Sequence, residues 1–268
     1  MKVRDYEVGD LMAKSSKFRV YLGKTEKEEP IILKVATTFE NGDVLAKEAS
    51  KFNLMRASEA DIRKFESAKK RDSHYDWLFA KLINSFMEPS QGDRRINVFA
   101  MPDADLAELT PLAKLSNTVE IDVRTSIWIF GRLLKFYGFF ELIAENGDIP
   151  FAQYPVFSPD DYFIGPQNHR LIYYNFIDDV NDAVAFDFVK TIANFIDNWV
   201  VIDENDENEK EYKRLLKDYV KRGRQTFELA HGELYRLVER LFGRKYHPFT
   251  YRDKGTITWK VMENIKEG

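Results

Sequence analysis

The sequence predicts an α+β protein of two lobes, and three observations predict it. Short runs of aromatic and β-branched residues crowd the first hundred positions around one helical stretch. Beyond Pro102 the apolar periodicity becomes helical, interrupted by a single hairpin pattern. The 268 residues are 44% hydrophobic and 14% aromatic, enough to pack a sizeable core. The expected division is a sheet-rich lobe at 1–101 and a mostly helical lobe at 102–268, together one bilobal domain.

Residues 6–36 read as strands. Phe18-Arg19-Val20-Tyr21-Leu22 and Ile31-Ile32-Leu33-Lys34-Val35-Ala36 flank the charged turn from Lys24 to Pro30, a hairpin pattern. Residues 43–57 read as a helix with Val44, Leu45, Ala49, Phe52 and Leu54 as its apolar face, and 59–81 as a second, charged helical stretch. Strands at 82–87 and 96–101 turn through Ser90-Gln91-Gly92-Asp93. Between 121 and 144, Val123, Ile127, Phe130, Leu134 and Tyr137 step by four and three, which predicts a buried helix closed at Asn146-Gly147-Asp148. Strands at 160–164 and 170–176 turn through Gly165-Pro166-Gln167-Asn168. The remainder reads as helical: 186–199, a helix lined by Tyr212, Leu215, Leu216 and Tyr219, and a last one lined by Leu234, Leu237, Val238 and Leu241.

Composition removes several classes of function. There is no cysteine, hence no disulfide, thiol nucleophile or cysteine-ligated metal, which fits a reducing compartment. The net charge of -4 lacks the basic excess that nucleic-acid binding requires. The longest apolar stretch, 127–143, is broken by Arg132, Lys135 and Glu141, so no membrane span is expected. The polar start MKVRDYEVGD lacks a signal-peptide core, and the expected location is cytoplasmic. His74, His169, His231 and His247 are scattered and read as surface or capping residues. No Walker-type loop or nucleophile elbow occurs.

This order of elements, with Lys34 inside the third strand, resembles the protein-kinase fold, a bilobal α+β arrangement whose N-lobe is an antiparallel sheet with one or two helices. Ile32-Leu33-Lys34-Val35-Ala36 is similar to the family's Val-Ala-Ile-Lys strand, and Glu48 stands where the family places its helix glutamate. The resemblance implies that Lys34 holds nucleotide phosphates and pairs with Glu48. It also implies that Met101, in Phe99-Ala100-Met101-Pro102-Asp103, belongs to the hinge that meets the adenine. The stretch from Met12 to Val20 stands in place of the family's glycine-rich loop but contains no glycine, and reads as an ordinary hairpin turn.

Two frames place the catalytic loop. In one, Asn146-Gly147-Asp148-Ile149 resembles the His-Gly-Asp of kinase-like phosphotransferases, with Asp148 as base, but Gln153 stands where a metal-binding asparagine is needed. In the other, which fits better, Tyr154 to Ile164 resembles His-Arg-Asp-Leu-Lys-Pro-Glu-Asn and its following strand. Asn175-Phe176-Ile177 then replaces Asp-Phe-Gly. In that frame Val156 occupies the base position, and Asp161 and Asn175 occupy the metal-ligand positions.

The resemblance therefore implies a pseudokinase with no catalytic base, unless Asp148 or Asp160 substitutes. ATP with Mg²⁺ or Mn²⁺ is expected to bind weakly or not at all. The expected role is a binding, regulatory or scaffold module for a protein partner, without nucleic acid or membrane. The alternative is an active, atypical ATP-dependent phosphotransferase. A third expectation is an unrelated α+β protein, in which Lys34 and Glu48 would not meet.

Overall fold

A computed structural model describes residues 2–68, 75–101, 109–145, 155–176, 188–222 and 225–262. The protein is α+β and divides into two compact units, Met1–Leu109 with Ile172–Ile177, and Thr110–Leu171 with Asp178–Gly268.

The first unit is built on β1 (Lys2–Val3), β2 (Tyr6–Lys14), β3 (Phe18–Thr25), β4 (Pro30–Ala36), β5 (Lys81–Glu88) and β6 (Arg94–Ala100). They form one antiparallel sheet in the order β1-β2-β3-β4-β6-β5. Alternation along each strand sends successive side chains to opposite faces. Ile31, Leu33 and Val35 of β4 therefore join Ile96 and Val98 of β6 in one core with Val3, Val8 and Phe86. Ile32, Lys34 and Ala36 fall on the other face.

The sheet curls until its first turn reaches its last strand. Arg4 donates to the Met87 carbonyl at 3.0 Å and lies 3.7 Å over the Phe86 ring, against which Tyr6 stacks. Curling brings β2 and β4 tightly against β3. A Cβ on Gly23 would lie 2.3 Å from the Glu7 carbonyl oxygen, so only glycine fits there.

One helix, α1 (Gly42–Ala68), covers the second face, where two were expected. Leu45, Ala49, Phe52, Met55 and Ile62 keep the three-and-four spacing throughout, and the polar pair Ser58 and Glu59 continues the buried stripe. Glu59 is satisfied by Arg63, which also reaches Asp76 at 2.9 Å. Leu54, assigned to the apolar face from sequence, points outward and is exposed. Phe52 packs edge-on against Phe99 at 4.9 Å, which seats α1 on β6.

The second unit contains β7 (Thr110–Pro111), α2 (Leu112–Thr118), β8 (Val119–Ile121), α3 (Val123–Glu145), β9 (Tyr162–Gly165), β10 (Arg170–Tyr173, whose last two residues belong to the first unit), α4 (Phe188–Trp199), α5 (Glu207–Lys221), α6 (Phe227–Phe242), β11 (Phe249–Asp253) and β12 (Lys260–Met262). The core helix is α3, with Ile129, Phe130, Leu133, Leu134, Tyr137, Phe139, Phe140 and Ile143 fully buried. Asp122 caps it by accepting from the Thr125 amide at 2.8 Å. Asp206 and Thr226 cap α5 and α6 in the same way.

Two expectations give way here. The C-terminal part is not helical throughout, because β11 and β12 form a hairpin that pairs with β8. The strand expected at 170–176 ends at Tyr173, and residues 174–176 are irregular. No described helix is long and apolar enough to cross a membrane.

Candidate functional site

The alternation of β4 turns Lys34 toward α1, and the β4–β6 register sets it directly opposite Asn97. Lys34, Glu48 and Asn97 are all fully buried. A buried ammonium is tolerated only when its charge and its hydrogens are both satisfied. Lys34 Nζ meets that demand completely. It donates to Glu48 Oε1 at 2.5 Å, to Asn175 Oδ1 at 2.7 Å and to the Tyr174 carbonyl at 3.2 Å. An ammonium has three hydrogens, so all three are committed.

Glu48 is equally occupied. Its Oε1 also accepts the Phe176 amide at 3.0 Å, and its Oε2 accepts Asn97 Nδ2 at 3.0 Å. Asn97 Nδ2 donates to the Leu45 carbonyl as well. The cluster thereby ties together β4, α1, β6 and residues 174–176. The aromatic rings of Phe18, Tyr174 and Phe99 surround the ammonium at 4.5, 5.3 and 5.9 Å, a further attraction for a desolvated cation.

Phe18 owes its position to the hairpin between β2 and β3. Ser15 Oγ accepts from the amides of Lys17 and Phe18, and the Ser15 amide donates to the Phe18 carbonyl. Thr37, just past β4, donates from its amide to the Lys17 carbonyl and from its hydroxyl to the Ser16 carbonyl. A phosphate cradle presents backbone N–H groups outward. Here the amides of Ser15, Lys17 and Phe18 are spent inside the turn.

The other residues singled out from sequence are distributed as follows. Asn175 joins Lys34 directly. Met101 is buried just beyond the end of β6, four residues past Asn97 and so about 13 Å along the strand direction. Val156, Asp160 and Asp161 belong to the second unit. Val156 is half-buried, and Asp160 is exposed on the short turn Pro159–Asp161 that Ser158 caps. Asp161 is half-buried close to the hydroxyl pair Tyr137–Tyr162, where burial and its charge together push the Tyr137 hydroxyl upward in pKa. Asp148, Tyr154 and Ile177 lie outside the described residues. Among the described residues no group of three or more histidines and carboxylates is placed to hold a metal ion.

Sequence reasoning missed Asn97 and the Tyr174 carbonyl, and it placed Phe18 only among the side chains that stand in for the glycine-rich loop and would crowd a phosphate. Asn97 left a signal, a lone amide inside the apolar run Ile96-Asn97-Val98-Phe99. A buried amide facing a buried lysine across a strand pair announces a polar cluster. The carbonyl left none, since only the irregular segment brings it to Lys34.

No protein-family model matches this chain, and no curated protein matches it.

Proposed function

We propose that this protein is a kinase-like binding module without phosphoryl-transfer activity, in which Lys34 is a structural tie and nucleotide affinity is weak or absent. The observation that carries the reading is the saturation of Lys34, whose three donors are spent on Glu48, Asn175 and Tyr174 at complete burial. A phosphate could reach the ammonium only by displacing one of these acceptors and moving Phe18. The neutral Asn175 and the internally bonded turn at Ser15 support the same reading. Its biological role is then to hold a protein partner.

The rival reading, an active atypical ATP-dependent phosphotransferase, draws support from one contact. Lys34 and Glu48 do pair, as the kinase resemblance requires. Thermal melting with ATP and Mg²⁺ or Mn²⁺ separates the two. Nucleotide at a hundred times its dissociation constant stabilises by about 2.7 kcal/mol. The binding-module reading expects no shift at millimolar nucleotide. A clear shift that the double variant Lys34→Met/Glu48→Leu abolishes while remaining folded would establish the rival.

A further inference from the structure

The Lys34 cluster brings together the reactants of a covalent bond. A lysine amine condenses with an asparagine side-chain amide when the two are held in contact, shielded from water and served by a carboxylate that moves protons. Contact is in place, since Lys34 Nζ lies 2.7 Å from Asn175 Oδ1. The carbonyl carbon stands one C=O bond beyond that oxygen and therefore within about 4 Å of Nζ, close to a near-attack separation. Rotation about χ2 of Asn175, a broad torsion, turns the face of the amide toward the nitrogen. Both residues belong to the first unit, although 141 positions separate them in sequence.

Shielding is equally plain. Lys34 and Glu48 have no exposed surface, Asn175 is buried, and the rings of Phe18 and Tyr174 lie against the nitrogen. Bulk water is thus kept from the amide it would hydrolyse. Glu48 Oε1 accepts from Nζ at 2.5 Å and is the proton acceptor. Moving one proton along that hydrogen bond discharges both members of a buried ion pair at once, which apolar surroundings favour. The Phe176 amide and Asn97 Nδ2, each at 3.0 Å, hold the carboxyl group in position.

Resting on the reading of Lys34 as a structural tie, we propose that Lys34 and Asn175 join through an intramolecular isopeptide bond, with Glu48 as the proton carrier. Glu48 takes one proton from the Lys34 ammonium. The lone pair freed on Nζ attacks Asn175 Cγ, and the π pair of the carbonyl moves onto Oδ1. Glu48 passes its proton to Nδ2. The pair on Oδ1 returns, the Cγ–Nδ2 bond breaks with its electrons on nitrogen, and ammonia departs. Nζ gives up its second proton to Glu48, from which ammonia carries it off as ammonium. An ammonium group and a primary amide thereby become a secondary amide and a free ammonium ion, with no oxidation and no co-reactant. The product links β4 to residues 174–176 in a chain without cysteine. It constrains the unfolded chain as a disulfide does, independently of redox conditions.

The test is mass spectrometry of the purified full chain under denaturing conditions. The wild type should be lighter than its sequence by one ammonia, about 17 Da. Digestion should release one branched peptide that joins the segment holding Lys34 to the segment holding Asn175. Lys34→Arg, Asn175→Ala and Glu48→Gln should each show the full mass of their sequence. A wild type at its full sequence mass would overturn the proposal, whether or not any variant folds. So would loss of ammonia confined to a linear peptide, which marks a cyclic imide, or deamidation of Asn175, which marks attack by water. Joining that persists in a folded Glu48→Gln variant would overturn the part given to Glu48. Full mass together with no melting shift by nucleotide removes the isopeptide bond and leaves the binding-module reading standing, so the two fail separately.

Discussion

The Lys34 cluster and the α3–α6 face both concentrate cations among aromatic rings, yet they are opposite in kind. In the first, every donor of the ammonium has an internal acceptor, and no part of the lysine meets solvent. In the second, half-buried cations share one face with tyrosines open to water. A satisfied polar cluster rigidifies the fold around it, whereas long cationic side chains at a half-exposed face keep part of their length in water. The same residue types thus lie at complete burial in one unit and at a partly exposed face in the other, and burial is what distinguishes them.

The contrast predicts a graded series of effects. Glu48→Ala leaves a buried ammonium without its counter-charge and should cost about 3–5 kcal/mol in urea denaturation. Lys34→Met/Glu48→Leu should recover part of that loss, because no charge is then left unpaired, while the Phe176 amide, Asn97 and Asn175 each still lose a partner. If the double variant is as unstable as the single one, the pair is not the tie described here. Asn97→Ala strips one donor from Glu48 and should cost about 1–3 kcal/mol by the same measurement.

The acid side of the stability profile probes the second region. His169 is held below its ordinary value of 6.5, down to about 4, so the unfolded chain binds the extra proton first. Its contribution is complete above pH 6.5 and is lost as the pH falls toward 4. The loss should be about 1–2 kcal/mol, smaller than the full shift implies because the ring is partly solvated. His169→Asn, which tolerates the left-handed backbone, should flatten that slope. Smallest of all, Tyr235→Ala should change stability by no more than about 0.5 kcal/mol, since Tyr235 is exposed. A larger change would mean that the ring contact of Tyr235 with His231 carries packing energy despite its exposure.

How much of this was legible in the sequence depends on how local each cause is. The strand bearing Lys34 and the helix bearing Glu48 announce themselves by apolar period, and their pairing followed from the family resemblance. The break expected near residue 58 was wrong because Ser58 and Glu59 look like punctuation, and only the fold reveals Arg63 as Glu59's partner. The hairpin of β11 and β12 was passed over although Phe249-Thr250-Tyr251 is rich in strand formers, because its partner β8 lies more than a hundred residues earlier. The stack of His169 on Trp128 and Tyr246 was not anticipated. The helix that bears Trp128 read as buried and His169 as a surface or capping residue, and only tertiary packing brings that helix, the turn and Tyr246 side by side.

The return of residues 172–177 to the first unit has a consequence in time. Two of the three acceptors of Lys34, and one of the donors to Glu48, are supplied by residues 174–176. A nascent chain that has emerged only as far as residue 109 holds the whole sheet and α1, but its buried lysine lacks those acceptors. Completion of the first unit therefore waits on a segment made well after the start of the second, and its folding is tied to long-range closure instead of proceeding in order of synthesis.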